Sequence, residues 1–191
     1  MPKRCAWCGD DELYMQYHDD EWGVPCRDDD RLFEFLLLEG AQAGLAWITV
    51  LRKRENYRAL FDGFNASKIA RYSDRKLDKL LQDPGIIRNR LKVYSARQNA
   101  RAFLEVQKEW GSFADYIWHF VEGKSLQNRF EGQGDLPAST PLSDVISKDL
   151  KKKGFNFVGP TIVYAYMQAT GMVNDHTAGC FRYQPCKKLA R

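Results

Sequence analysis

The chain has 191 residues, of which 44% are hydrophobic and 13% aromatic, and it carries a net charge of +4 with a pI near 8.7. That is enough for one domain with a proper core, or one domain with a small annex, and the mild basic balance permits a polyanionic partner without demanding one. An odd count of five cysteines argues against a full disulfide framework, Met1–Asp20 lacks the apolar run of a signal peptide, and the stretch 35–51 is too short and too interrupted for a bilayer span, so a soluble, cytoplasmic protein is expected.

In chain order the pattern is helical nearly throughout. Asp28–Asp30 offer N-caps for a helix through Leu38, which Gly40 and Gly44 then punctuate. Ala46 to Phe61 reads as a second helix, closed by Asp62-Gly63. A short helix over Ala66–Arg71 precedes one capped by Asp74 and running to Gln82. Asp83-Pro84-Gly85 is a turn. A long amphipathic helix is expected from Ile87 to Trp110, stopped by Gly111, with a short aromatic helix over Phe113–Val121. Residues 122–139 are polar, rich in Gly and unpatterned, and read as a surface loop. Thr140 and Pro141 are N-cap and first position of a helix ending at Gly154, and Pro160 starts another through Thr170. A short basic tail follows Gln184. No strand-like alternation is sustained, and the fold class is all-α.

Three constellations could carry chemistry. Glu39 is the only charged residue between Phe35 and Leu51, with Trp47 two helical turns on. A buried carboxylate is costly unless something bonds it, so this one is either satisfied by backbone groups or an Arg, or lines a pocket for a flat polar or cationic ligand. Tyr14, Tyr17 and Trp22 add aromatic surface that serves either a nucleobase or the core. Cys5, His18, His176 and Cys180 form a possible zinc set tying the two ends together, the i, i+4 spacing of the last two putting them on one helical face. Cys8 and Cys186 compete as spare thiols. The third constellation is Gly154-Phe-Asn-Phe-Val-Gly-Pro-Thr161 between two helices, preceded by Lys148 and Lys151–Lys153, which fits a clamp on a phosphate backbone or a solvated helix hairpin.

Taken together, CAW, LYMQYHDDEWGVP, LFEFLLLEGAQAGLAWITVLRKRENYRALF, DPGIIRNRLKV and LKKKGFNFVGPTIVYAYMQATGMVNDH, followed by Cys180, resemble the type I 3-methyladenine DNA glycosylases of the helix-hairpin-helix superfamily. The resemblance spans Cys5 to Cys180. It implies a single helical domain over 1–191, with residues 1–25 and 172–191 forming a zinc-stapled annex. It implies one structural Zn2+ on Cys5, His18, His176 and Cys180, leaving out Cys8, Cys26 and Cys186. It places an extruded base between Tyr17 and Trp47, with Glu39 and Tyr14 on its edge and Trp22 in the wall. Backbone contacts to double-stranded DNA fall to Phe157, Val158, Gly159, Thr161 and Lys153. The implied activity is hydrolysis of the N-glycosidic bond of 3-methyladenine in alkylated DNA by base flipping, by a monomer.

The superfamily's catalytic Asp position holds Asn174 here, with Asp175 one step off, so Glu39 is expected to recognise the base rather than act as an obligatory general base. Gly159-Pro160-Thr161 lacks the nucleophilic Lys of bifunctional relatives, so no strand cleavage is expected. The competing readings are a zinc-stapled nucleic-acid-binding module without catalysis and, more distantly, a small-molecule hydrolase using the same pocket.

Overall fold

The computed structural model describes residues 2–190 and is mostly helical. In chain order the helices are α1 (Glu12–Asp20), α2 (Asp29–Gln42), α3 (Trp47–Leu51), α4 (Arg54–Leu60), α5 (Ala66–Ile69), α6 (Asp74–Leu80), α7 (Arg90–Trp110), α8 (Phe113–Trp118), α9 (Pro141–Lys152), α10 (Pro160–Ala169) and α11 (Tyr183–Leu189). Two two-residue strands, β1 (Leu126–Gln127) and β2 (Val173–Asn174), pair in parallel with Leu126 opposite Val173. No helix among the described residues is long and apolar enough to cross a membrane.

Helix α2 is the centre of the molecule. Asp28 caps it by accepting a hydrogen bond from Arg31 N at 2.9 Å. It buries Leu32, Phe33, Phe35, Leu36, Leu38 and Ala41, apolar residues spread around its circumference, and it packs against α3, α7, α8 and α10. Only its first turn sends polar residues, Asp30 and Arg31, to solvent; further along, Glu34 and Glu39 are both buried. One contiguous core cluster extends from Cys5 to Cys180.

Several boundaries differ from the sequence reading, each for a visible reason. Helix α2 runs on through Gly40 to Gln42, because the missing side chain admits Phe157: a Cβ on Gly40 would lie 3.2 Å from the Phe157 Cβ. The single helix expected over 46–61 breaks at Arg52-Lys53 into α3 and α4. Ser73, not Asp74, caps α6, and Asn89 caps α7 at Arg90 rather than Ile87. The 113–121 helix tightens to a 3₁₀ turn after Trp118. His176 and Cys180 lie on a turn, not a helix, and the basic tail is helical as α11. The strands escaped notice because two residues are too few to alternate. Their pairing ties the 122–139 loop to the segment that follows α10.

That segment begins with a turn under tight steric control. Gly171 has φ +69°, and a Cβ there would lie 2.4 Å from Pro25 N and Val24 C. Both the left-handed backbone and the backbone crowding oppose a side chain. Gly171→Ala is expected to destabilise the protein by about 3 kcal/mol, read as a lowered urea midpoint without a change in slope.

Candidate base pocket and metal centre

Helix α1 carries the first wall of the site. Asp11 caps it, accepting from Tyr14 N at 3.1 Å. Tyr14, Tyr17 and His18 stand three and four apart and therefore share a face. Tyr14 and Tyr17 line a cavity of about 310 Å³, within the range of small-ligand sites, together with Trp7, Trp22, Glu39, Gln42, Trp47 and Gln168. The five residues singled out for this role, Glu39, Tyr14, Tyr17, Trp22 and Trp47, thus meet at one cavity. The ring of Tyr17 lies 5.4 Å from that of Trp47, tilted by 44°. A base sandwiched between two rings needs about 7 Å between them, so as they stand the rings touch each other and leave no flat slot.

Helix α2 carries two buried carboxylates that contrast sharply. Glu34 accepts hydrogen bonds from Arg54 Nε at 2.6 Å and Arg58 Nε at 3.0 Å. Arg54 in turn donates to both carboxylate oxygens of Glu21 at 2.9 Å, fastening the end of α1 to α2 and α4. Glu39, 4% exposed, has no such support. Burial alone pushes its carboxyl up to about 8, with no donor or cation offsetting it. The alternative that Glu39 is satisfied by backbone groups or an Arg therefore fails: the arginines go to Glu34, and Glu39 lines the cavity. Burial and the nearby Glu39 carboxyl also hold the Tyr17 phenol well above its ordinary range.

Sequence reasoning missed Trp7, Gln42, Gln168 and the rim formed by Gln133, Leu136 and Pro137. Trp7 is the hub of the aromatic wall, with ring centroids 4.9 Å from Tyr14 and 5.0 Å from Trp22. Its position in CAW was visible, but nothing local distinguishes a wall Trp from a core Trp. The loop over 122–139 carries no periodicity that would point it at the cavity. The indole Nε1 atoms of Trp7 and Trp47 are buried without protein partners.

Behind the aromatic wall, Cys5, His18, His176 and Cys180 converge, all buried, with their ligand atoms within 4.8 Å of one another. Cys180 Sγ lies 3.4 Å from His18 Nε2 and 3.5 Å from His176 Nδ1, and Cys5 Sγ lies 3.6 Å from His176 Nδ1. The S-to-N edge of a tetrahedron with zinc bond lengths is about 3.6 Å. The ring orientations fit as well. His176 Nε2 faces the Trp22 carbonyl at 2.9 Å, so that nitrogen donates and Nδ1 is left with a lone pair. His18 Nδ1 faces Asp19 Oδ1 at 2.7 Å, itself held by Arg4, which frees Nε2. The backbone N–H groups of Thr177 and Arg182 donate to the two sulfurs at 3.4 Å. Cys8 Sγ points at the Cys5 carbonyl at 3.2 Å and Cys26 Sγ at that of Asp28, and neither joins the cluster, nor does Cys186. The donor chemistry and spacing fit a closed four-ligand metal site.

The turn between α9 and α10 is rigidly held. Asn99 brackets Asn156, accepting from its N at 2.7 Å and donating to its O at 3.0 Å, and Ser147 Oγ donates to Val158 O at 2.6 Å. Phe157 adopts φ +57° and packs on Gly40, next to Glu39. Gly159 caps α10, whose first N–H groups have no intrahelical partner. Thr161 is exposed, the Val158 side chain is buried, and Lys153 is paired with Glu109 at 2.7 Å. Asp175 accepts from Tyr164 and Gln168, and Asn174 donates to Gln127 and the Tyr183 carbonyl. Both are buried away from the cavity.

Comparison with known proteins agrees over nearly the whole chain. DNA-3-methyladenine glycosylase 1 of Escherichia coli (strain K12) is 49% identical over 95% of this chain and 97% of its own length. A crystal structure of 3-methyladenine DNA glycosylase I superposes with a TM-score of 0.92 at 51% identity, covering 94% of this chain and 98% of that one. A variant of that enzyme type, solved in complex with 3-methyladenine, superposes with a TM-score of 0.91 at 34% identity over 93% and 96% of the two chains. The methyladenine glycosylase family model matches residues 7–183, and the chain belongs to that family.

Proposed function

We propose that this protein is a DNA repair glycosylase that hydrolyses the N-glycosidic bond of 3-methyladenine in alkylated double-stranded DNA. The observation that carries this reading is Glu39: a buried carboxyl without a protein donor, in an aromatic-walled cavity. A flipped cationic base supplies the missing partner. Relatives named for this activity, one of them solved with 3-methyladenine bound, support it.

Methylation at N3 leaves the nucleoside cationic and its glycosidic bond weakened, so the enzyme need not protonate the leaving group. Its work is to extrude the base, hold it, and let water reach the sugar carbon. Tyr17 and Trp47 offer electron-rich faces that favour a cation over neutral adenine. Trp47 opens the contact with Tyr17 as the base enters. Tyr14 and Glu39 take the base edge, and Trp22 backs the wall. The Glu39 carboxyl, protonated in the empty pocket, ionises as the cation binds and pairs with it in a medium of low dielectric. Glu39 is thus a recognition group whose charge appears only with the ligand. Asp175 is occupied by its own partners, and Thr161 stands where a strand-cleaving lysine would be needed, so excision proceeds without strand scission.

We further assign α9–turn–α10 as a helix-hairpin-helix in which the backbone at Phe157, Val158, Gly159 and Thr161 holds phosphate oxygens through N–H groups. Exposed Lys151 and Lys152 add charge, and Lys153 joins them on leaving Glu109. We assign Cys5, His18, His176 and Cys180 as ligands of one structural Zn2+, which when bound supplies folding energy rather than an open catalytic position. The chain acts as a monomeric single domain inside the cell, its two ends stapled together by the metal.

Three outcomes test these assignments. Incubation with methylated DNA releases free 3-methyladenine, and Glu39→Gln lowers kcat/KM for that release about a hundredfold. DNA binding without release, in the unaltered protein, would instead identify a non-catalytic binding module. Second, the Glu39 carboxyl titrates near 4.5 when unfolded and about 8 when folded. Its neutral form therefore favours folding below pH 4.5, and that contribution is lost as pH rises through 8. Urea unfolding at pH 5 and pH 9 should show Glu39→Gln gaining a few kcal/mol relative to the unaltered protein at the higher pH only. Third, elemental analysis should find one zinc per chain, lost in Cys180→Ala with a fall of about 10 °C or more in Tm and retained in Cys8→Ser.

A further inference from the structure

Besides its rotatable hydroxyls, and the indole N–H groups of Trp7 and Trp47 that are sealed inside the wall, the cavity is lined by side chains whose polar groups are fixed in orientation: Glu39, Gln42 and Gln168, with Gln133 exposed at the rim. The amides of Gln42 and Gln168, both half-buried, are already committed. Gln42 Nε2 donates to the Leu45 carbonyl at 2.6 Å, and Gln168 Nε2 donates to Asp175 Oδ2 at 2.8 Å. In each case the partner can only accept, so the amide nitrogen must face it and the oxygen must face away. Asp175 is immobilised in turn. It is 1% exposed, its Oδ1 accepts from Asn128 Nδ2 at 2.7 Å, and its Oδ2 accepts from Tyr164 OH at 2.5 Å. Gln168 Oε1 is left without a protein partner, yet it is not among the sealed orphan atoms, which are Trp7 Nε1, Trp47 Nε1, Arg54 Nη2, Asn174 Oδ1 and Arg182 Nε. It is therefore not sealed in the protein, on a residue that lines the cavity.

We propose that Gln168 is a specificity-determining residue of the pocket and Asp175 the positioning residue that fixes its amide. The inference rests on the glycosylase reading above. With both amides turned the same way, the fixed polar groups of the pocket present acceptors: the Glu39 carboxylate, Gln42 Oε1 and Gln168 Oε1. A purine with a 6-amino group meets them with N–H donors. A 6-oxo purine sets its own acceptor against them, acceptor facing acceptor, and desolvates the Glu39 and Gln168 oxygens without pairing them, the kind of mismatch that discriminates far better than shape. The pocket thus selects an alkylated adenine over an alkylated guanine through a polarity written by Asp175, a residue that never touches the base.

The test is the release of 3-methyladenine and 3-methylguanine from methylated duplexes, each measured as kcat/KM. In Gln168→Met, 3-methyladenine release should fall about tenfold with 3-methylguanine release unchanged, so the preference narrows about tenfold. Asp175→Asn frees the amide to turn its N–H to the cavity, and 3-methylguanine release should rise above the unaltered level. In the double variant the preference should equal that of Gln168→Met alone, because Asp175 acts only through Gln168. An unchanged preference in Gln168→Met overturns the proposal, as does an Asp175→Asn effect on the preference that persists in the double variant. Where Asp175→Asn fails to fold, Gln168→Met decides alone. Failure of the unaltered protein to release either base would sink the glycosylase reading itself, a separate result.

Discussion

The burial of α2 on nearly every side is the constraint on which the rest depends. Past its first turn, where Asp30 and Arg31 reach solvent, α2 is packed against α3, α7, α8 and α10, and two carboxylates five residues apart come inside with it. At Glu34 the fold compensates with two arginines, one of which also reaches back to Glu21. At Glu39 it does not compensate, and the carboxyl stays protonated to about pH 8. An interior that leaves one acid unsupported while supporting its neighbour keeps one latent charge at one place. That place borders the aromatic cavity and lies one residue from the Gly40–Phe157 contact, which brings in the turn between α9 and α10.

The support for the pocket wall comes from behind. Trp22 presents a ring face to the site while its carbonyl fixes the His176 ring, whose centroid lies 4.7 Å from the indole. His18 sits on the same helix as Tyr14 and Tyr17 and turns into the Cys/His cluster. The cluster therefore does more than join two ends of a chain. It sets the rotation of α1 and the height of Trp22, and through them the shape of the cavity. The Arg54–Glu21 contact does the same from the far end of α1.

How much of this was legible in the sequence follows from the range of each signal. The helical class and most caps were readable, because caps and punctuating glycines act within a turn. Glu39 stood out because a lone charge in an apolar run is a local anomaly. The four cluster residues could be named as a possible set, but no spacing rule links Cys5 to Cys180, so only the resemblance set Cys8 and Cys186 aside. The helical face assigned to His176 and Cys180 failed because a turn can bring residues four apart together as readily as a helix can. Gly40 was misread as a helix stop, its real cause being Phe157, more than a hundred residues away. Gln168 and Asp175 were invisible as a pair: one looked like an ordinary helix residue, the other like a displaced catalytic Asp, and only their hydrogen bond gives them meaning.

The meeting of Cys5 and His18 with His176 and Cys180 also has a consequence for the birth of the protein. Domains tend to fold as units while the ribosome is still working, early segments first. Here the earlier segment, with Trp7, Tyr14, Tyr17 and Trp22, has its buried backing only once residues 176–180 have been synthesised. A nascent chain can assemble α2 through α8 around their shared core, but the cavity has no finished wall until the stretch carrying His176 and Cys180 has been made. A chain interrupted before that stretch lacks the backing of its aromatic wall, so the shape of the cavity depends on residues far apart in the order of synthesis.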